Sequence, residues 1–476
     1  MRFLRPFRFL LRIAVCLAAG AASAADLPRS VLAPLEAAGI PAADVAIWVQ
    51  PVDGSTPTLA VNAERPMNPA SVMKLVTAFA ALDRLGPAHT WSTRAASLAQ
   101  PRAGVLEGDL YLIGGADPML SYERLWKLLR QLRALGIERI AGDLVLDGSA
   151  LRLPPHDPNA FDGRGLRPYN SGAHGLLLHY NSLRLTLVPG RQAGETVVLA
   201  SDPPLTGLRI DNRIVTAAGA CGVWYQALDA RLGIAPDGPL LTLEGRLPAS
   251  CGRRDWSAAP LSPEDFGVAL VAALWREVGG RLDGRVRAGL APANAPTLLD
   301  DTSEPLADVV RNMNKWSSNV VARQLLATLG ATAGESPDMA STGALVALTQ
   351  LESAGIPTDG LVIENGAGLS RVERIRADSL GTLLLTAWRR PWMPEFIAAM
   401  PMAGVDGTAR RRLNGSPASG MAHIKTGTLN GVRAMAGYVL DRDGRRHAVV
   451  MMVNHPRAAE SQAAQDALLE WVWAGR

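Results

Sequence analysis

Apolar and polar positions follow two different periods along this chain. Residues 44–51 are almost continuously apolar, and 58–62 follow after an Asp53-Gly54 turn, which predicts a strand pair. After Pro69-Ala70-Ser71 the period becomes helical. Val72, Leu75, Val76, Phe79 and Leu82 recur at one face, and Gly86-Pro87 ends the run. Between about 93 and 261 the texture changes to short alternating segments such as 109–113, 183–188, 196–199 and 240–243, separated by Gly/Pro turns. One helix, near 122–135, interrupts them. Helical texture returns at 263–278, 305–314 and 320–329. Residues 424–429, 432–440 and 447–453 then read as three strands joined by Asn430-Gly431 and Asp441-Arg442-Asp443-Gly444, an antiparallel meander. A final helix is predicted over 460–473. The economical organisation is one α/β domain formed by 25–92 and 262–476, carrying a strand-rich insertion over 93–261.

Composition narrows the class. With 476 residues and 48% hydrophobic content, the chain is too apolar to be disordered, and its three cysteines are too few for a disulfide scaffold. The formal net charge of +4 invites a nucleic-acid or membrane-surface reading. The first 24 residues remove it. Arg2, Arg5, Arg8 and Arg12 precede an apolar stretch over 13–19 and an Ala22-Ser23-Ala24 cleavage pattern, the three parts of a secretory signal peptide. Without that segment the chain is formally neutral, so nucleic acid is not expected as a partner. Cys16 follows Val15 rather than a small residue, which disfavours a lipid anchor, and no other apolar run is long enough to span a bilayer. The expectation is an exported protein, periplasmic in a bacterium, without a stable membrane anchor. In that compartment Cys221 and Cys251 can pair; two buried thiols are the alternative.

Among 48 basic residues only Lys74, Lys127, Lys315 and Lys425 are lysines. Arginine cannot give up its proton at physiological pH, whereas a buried lysine can. Lys74 stands three residues after Ser71 at a helix start, one turn away on the same face, near the partial positive charge and free N–H groups of a helix N-terminus. A lysine so placed can act as base for a serine hydroxyl once burial or another cation depresses its pKa. Lys425-Thr426-Gly427-Thr428 lies on a predicted strand, where strand pairing, charge and hydroxyls suit an extended peptide ending in a carboxylate. Ser317-Ser318-Asn319 lies between two predicted helices and offers a hydroxyl and an amide. Each motif alone is common in structural roles. Lys127, within a charged helix, reads as a solvated residue.

Together the three motifs resemble S-x-x-K, S-D-N and K-T-G, the signature set of class A β-lactamases and penicillin-binding proteins, in that order. The long stretch between the first two is similar to the class C low-molecular-mass penicillin-binding proteins, the D-alanyl-D-alanine carboxypeptidase/endopeptidases. Further likeness lies in Pro69 to Pro87, Gly108-Asp109-Leu110, Gly115-Ala116-Asp117-Pro118, Gly142-Asp143 with Asp147, and Ala403-Gly404-Val405-Asp406-Gly407-Thr408. The resemblance implies a serine β-lactamase/transpeptidase-like domain, an antiparallel sheet flanked by helices, with a large insertion between the first and second motifs. It implies Ser71 as the acylated nucleophile and Lys74 as its base, with Ser317 and Asn319 relaying protons and holding the substrate amide. Lys425, Thr426, Gly427 and Thr428 would bind the terminal carboxylate, and the backbone N–H groups of Ser71 and Thr428 would form the oxyanion hole. Lys315 would help keep Lys74 neutral through its charge. Peptidoglycan stem peptides and β-lactams are the implied partners.

The chain departs from the family pattern in three places. Ser318 replaces the middle Asp of the second motif. The D-G-S-G-L-S-R stretch reads Asn365-Gly366-Ala367-Gly368-Leu369-Ser370-Arg371. No acid stands at Pro168-Tyr169-Asn170-Ser171, where some members hold a diaminopimelate amino group. A β-lactamase and a catalytically silent wall-binding protein are the rival readings. The first lacks an E-x-x-L-N segment after the second motif, and the second sits poorly with three intact motifs. Neither a cofactor nor a metal is expected. G-x-S-x-G, H-E-x-x-H and a phosphate loop are missing, and His174 and His179 are spaced for neither a helix face nor a strand face. Trp316 could line a cleft beside Ser317.

Overall fold

The computed structural model describes residues 27–475, so the expected signal peptide over 1–24 lies outside the described residues. The fold is mixed α/β. At its centre is a five-stranded antiparallel sheet, ordered Ala422–Leu429, Val432–Leu440, Arg446–Asn454, Val45–Pro51 and Leu59–Val61. The C-terminal meander and the N-terminal hairpin thus close into one sheet, with Val45–Pro51 paired along Arg446–Asn454 from Val45 opposite Val453 to Pro51 opposite His447. The middle strands are apolar nearly throughout because both faces are covered. Trp48, Ala436 and Val450 face one core, while Ile47, Met435 and Val449, one position away, face the other. Helices Arg29–Ala37 and Gln462–Trp473 cover the second face.

The first face carries the helices that bear the motifs. Lys74–Leu85 is enclosed by Leu306–Trp316, Asn319–Ala331, Met339–Ser353 and Ala377–Trp388. The expected apolar face, Val72, Leu75, Val76, Phe79 and Leu82, is buried in the core, and the other sides are covered as well: every residue from Lys74 to Leu82 is buried, with Ala78, Ala80 and Ala81 allowing close approach there. Gly86 ends the helix at φ 81°, the role its sequence suggests. The periodicity of the sequence does not predict helices Arg29–Ala37, Met339–Ser353, Ala377–Trp388 and Met393–Ala399. Met339–Ser353 has apolar residues spread around its circumference, so no single stripe marks it.

The strand-rich middle forms two further layers. Ser92–Ala96, Leu110–Ile113 and Leu144–Asp147 form a sheet with Val286–Ala288 and Thr297–Thr302, and helices Tyr122–Ala134 and Pro263–Glu277 share its core. Beyond the boundary expected at 261, Val286–Ala288 and Thr297–Thr302 still pair with strands of the inserted layer, Thr297–Thr302 along Ser92–Ala96. The second layer joins a sheet of Leu183–Val188, Val198–Asp202 and Arg254–Ala258 to one of Arg209–Ala217, Leu228–Ala235 and Gly238–Pro248 around a core of their own. Its one disulfide among the described residues links Cys221 to Cys251, with Cα atoms 4.7 Å apart. A cavity of about 1510 Å³ lies between the layers, lined by Leu146, His156, Arg167, Tyr225 and Trp256, and its lining contains no residue of the three motifs. Among the described residues no helix is long and apolar enough to cross a membrane.

Candidate active site

The first motif begins at a sharp turn. Ala70 has φ 45°, a left-handed conformation that costs a residue bearing a Cβ about 1–3 kcal/mol. It is held by Asn68, whose Oδ1 accepts the Ala70 N–H at 2.8 Å while its Nδ2 donates to Ser370 O at 2.9 Å. The turn opens a 3₁₀ segment, Ala70–Met73, that runs into Lys74–Leu85 and leaves Ser71 half-buried. Two other segments of the chain press on it. A Cβ on Gly368 would lie 1.8 Å from Ala70 O, and one on Gly427 would lie 2.5 Å from Pro69 O and 3.0 Å from Ser71 N. The glycine of the third motif is thus required by close approach to the first.

Lys74 is fully buried. Its Nζ lies 3.0 Å from Ser71 Oγ, donates to Asn319 Oδ1 at 2.7 Å, and contacts the carbonyl of Ala367. In the second motif, Ser317 ends its helix in the left-handed region at φ 58°, which turns its hydroxyl toward the third motif. Lys425 Nζ donates to that Oγ at 2.8 Å and to Thr426 O at 2.7 Å. Ser318 points away and caps the next helix, accepting the Val321 N–H at 3.4 Å. Serine and aspartate are near-equal N-caps, so the departure at this position keeps the cap. Trp316 is 64% exposed beside Ser317.

Lys425 is also fully buried and both of its described contacts lie within the protein, so the accessible edge of the strand consists of the Thr426 and Thr428 hydroxyls. Arg433, on the next strand, donates to Thr428 Oγ1 at 2.6 Å, and Thr408 Oγ1 lies 3.1 Å from Thr426 Oγ1. Burial of the uncompensated ammonium pulls Lys425 down to about 7. Lys74 lies well below the ordinary lysine value, first through burial, then through the charge of Lys425 and, more weakly, of Arg323, with Glu373 opposing. The expectation for Lys315 is corrected here. Its Nζ pairs with Asp406 at 2.5 Å, so its charge is met locally, and the cations acting on Lys74 are Lys425 and Arg323.

Other contributors lie outside the motifs. Asn319 Nδ2 donates to Tyr169 O at 3.1 Å and Arg323 to Ser171 O at 2.6 Å, so a turn from the inserted region, Pro168–Asn170, borders the site. An acid reaches that turn in space although not in sequence: Asp162 accepts from Tyr169 Oη and from Asn170 Nδ2, each at 2.8 Å. The Ala367 carbonyl could not be read from the altered D-G-S-G-L-S-R stretch, because a backbone oxygen leaves no residue-type signal.

The family model of the D-Ala-D-Ala carboxypeptidase 3 (S13) family matches residues 29–474. The chain belongs to the D-Ala-D-Ala carboxypeptidase 3 (S13) family. Membership makes it a serine peptidase of the D-Ala-D-Ala carboxypeptidase class. A D-alanyl-D-alanine carboxypeptidase of Actinomadura sp. strain R39 is 33% identical over 427 residues, covering 84% of this chain and 76% of the relative. The D-alanyl-D-alanine carboxypeptidase DacB of Haemophilus influenzae is 26% identical over 403 residues, covering 83% and 81%. The fold of this S13 member matches the crystal structure of penicillin binding protein 4 from Haemophilus influenzae with a TM-score of 0.77 at 23% identity, over 93% of this chain and 99% of the other. A second crystal structure of that protein, in complex with a β-lactam, matches with a TM-score of 0.74 at 22% identity, over 94% and 100%.

Proposed function

We propose that this carboxypeptidase works through an acyl-enzyme on Ser71 and removes the terminal D-Ala of peptidoglycan stem peptides. The observation that carries the reading is the surroundings of Lys74 Nζ. A neutral amine has two N–H donors and one lone pair. Asn319 Oδ1 and the Ala367 carbonyl take the donors, which leaves the lone pair for Ser71 Oγ–H at 3.0 Å. Burial and the nearby cations favour that neutral form. Ser71 Oγ bonds to the carbonyl carbon of the penultimate D-Ala as its proton passes to Lys74. The backbone N–H groups of Ser71 and Thr428 receive the developing oxyanion. The peptide C–N bond breaks, the proton moves to the departing amine by way of Lys74 and Ser317, and water then hydrolyses the ester. Thr426, Thr428 and Arg433 hold the terminal carboxylate, and Asn319 holds the substrate amide.

The same chemistry on a cross-linking D-Ala amide gives endopeptidase activity, and a β-lactam acylates Ser71 and leaves slowly. The signal peptide pattern and the Cys221–Cys251 disulfide support export to the periplasm. In muropeptides digested by wild type and by Ser71→Ala, mass spectrometry is expected to show loss of terminal D-Ala and opening of cross-links only with wild type. Fluorescent penicillin label that persists in Ser71→Ala would overturn the assignment of the nucleophile, and steady nitrocefin turnover would favour a β-lactamase instead.

A further inference from the structure

Glu373 is a fully buried carboxylate whose charge acts on the proposed base, and none of the motifs contains it. Its Oε1 accepts three successive backbone N–H groups, from Glu364 at 3.1 Å, Asn365 at 2.9 Å and Gly366 at 3.1 Å. Such convergence makes a nest for an anion. Its own N–H is fixed by Ser370 Oγ at 3.0 Å, and its Oε2 is buried with no hydrogen-bond partner among the described residues. The turn gathered by Oε1 is pinned from outside as well. Thr77 Oγ1, on the helix of Lys74, donates to Gly366 O at 2.7 Å, and Asn365 Oδ1 accepts the Ala367 N–H at 2.9 Å. The next carbonyl in line, that of Ala367, is the one that contacts Lys74 Nζ.

The charges facing Lys74 come from three elements: Lys425 on its strand, Arg323 on Asn319–Ala331, and Glu373. Of these Glu373 alone is an acid; burial pushes its carboxyl above the usual range, while the three backbone N–H groups favour the carboxylate form. We propose that Glu373 is a positioning residue for Lys74: its carboxylate gathers the amides of residues 364–366, which sets the Ala367 carbonyl against one Lys74 N–H, and its charge opposes Lys425 and Arg323 at the amine. This deepens the proposed function and rests on Lys74 acting as base toward Ser71.

The test compares wild type, Glu373→Gln and Glu373→Ala, using penicillin acylation and D-Ala release from a synthetic peptide ending in D-Ala-D-Ala. Glutamine keeps an oxygen for the three amides and removes the charge. Lys74 then loses its proton more readily, and the acid limb of the kcat/KM–pH profile moves down by about one unit. Alanine releases the turn, and kcat falls about 100-fold with KM little changed. Thermal melting establishes that each variant is folded; if Glu373→Ala is not, the limb of Glu373→Gln decides alone. A folded Glu373→Gln whose acid limb coincides with wild type overturns the inference, and so does a folded Glu373→Ala with wild-type kcat, even if either melts lower. Failure of the underlying reading looks different: wild type itself then forms no adduct on Ser71.

Discussion

Lys74→Arg tests the proposed chemistry at its base. The substitution keeps a cation and a long stem but removes the ability to accept a proton, since a guanidinium stays protonated in proteins and has no lone pair. The site makes this decisive. Nζ is fully buried between Ser71 Oγ at 3.0 Å, Asn319 Oδ1 at 2.7 Å and the Ala367 carbonyl, so no water takes over the proton and the bulkier fork displaces its neighbours. Loss of a positioned general base costs about 10²–10⁴-fold in rate, which is about 2.7–5.4 kcal/mol of barrier at 1.36 kcal/mol per tenfold. The assay is the pseudo-first-order rate of labelling by a fluorescent penicillin, on protein shown to be folded by its melting curve. The wild-type rate should rise with pH through the depressed Lys74 pKa and then level, because only the neutral amine accepts the Ser71 proton. Lys74→Arg should lack that limb. Labelling within tenfold of wild type, with the same pH profile, would refute the reasoning.

Three further outcomes follow from the packing. Gly368→Ala places a Cβ 1.8 Å from Ala70 O at a residue with φ 75°, so the nucleophile turn must shift; a loss of about 2–3 kcal/mol by chemical denaturation, with impaired acylation, is expected. Ser318→Asp restores the commoner form of the second motif and exchanges one N-cap for another, so stability should change by less than about 0.5 kcal/mol and acylation should stay at the wild-type rate. Replacing Cys221 and Cys251 together by Ser opens a loop with a sequence separation of 30, worth about 3.5 kcal/mol in the chain-entropy model. Melting should show that loss, while penicillin labelling at 25 °C persists, since the bond lies in the inserted region.

The order of chemistry along the chain was legible without coordinates. Ser71 and Lys74 one turn apart, Ser317 and Asn319 at a helix junction, and Lys425 to Thr428 on a strand depend on local spacing, and local spacing dictates which side chains share a face. The meander was legible for the same reason, since Asn430-Gly431 and Asp441 to Gly444 punctuate alternating strands whose observed ranges differ from expectation by no more than two residues. Lys is informative because it can lose a proton where Arg cannot, although spacing does not show that Lys315 pairs with Asp406 while Lys425 and Arg323 are the cations acting on Lys74.

Only tertiary structure decided which residues complete the site. The Ala367 carbonyl, Glu373, Arg323, Arg433 and the Tyr169 turn reach Lys74, Asn319 and Thr428 from segments far apart in the chain, through backbone atoms or charges whose meaning depends on what they face. It likewise decided that Val286–Ala288 and Thr297–Thr302 pair with strands of the inserted layer, because a strand belongs to the sheet that pairs with it, wherever the texture of its sequence changes. Local periodicity specifies the elements and the motifs they carry. The depressed pKa of Lys74 arises from burial on all sides, a property of the assembled fold.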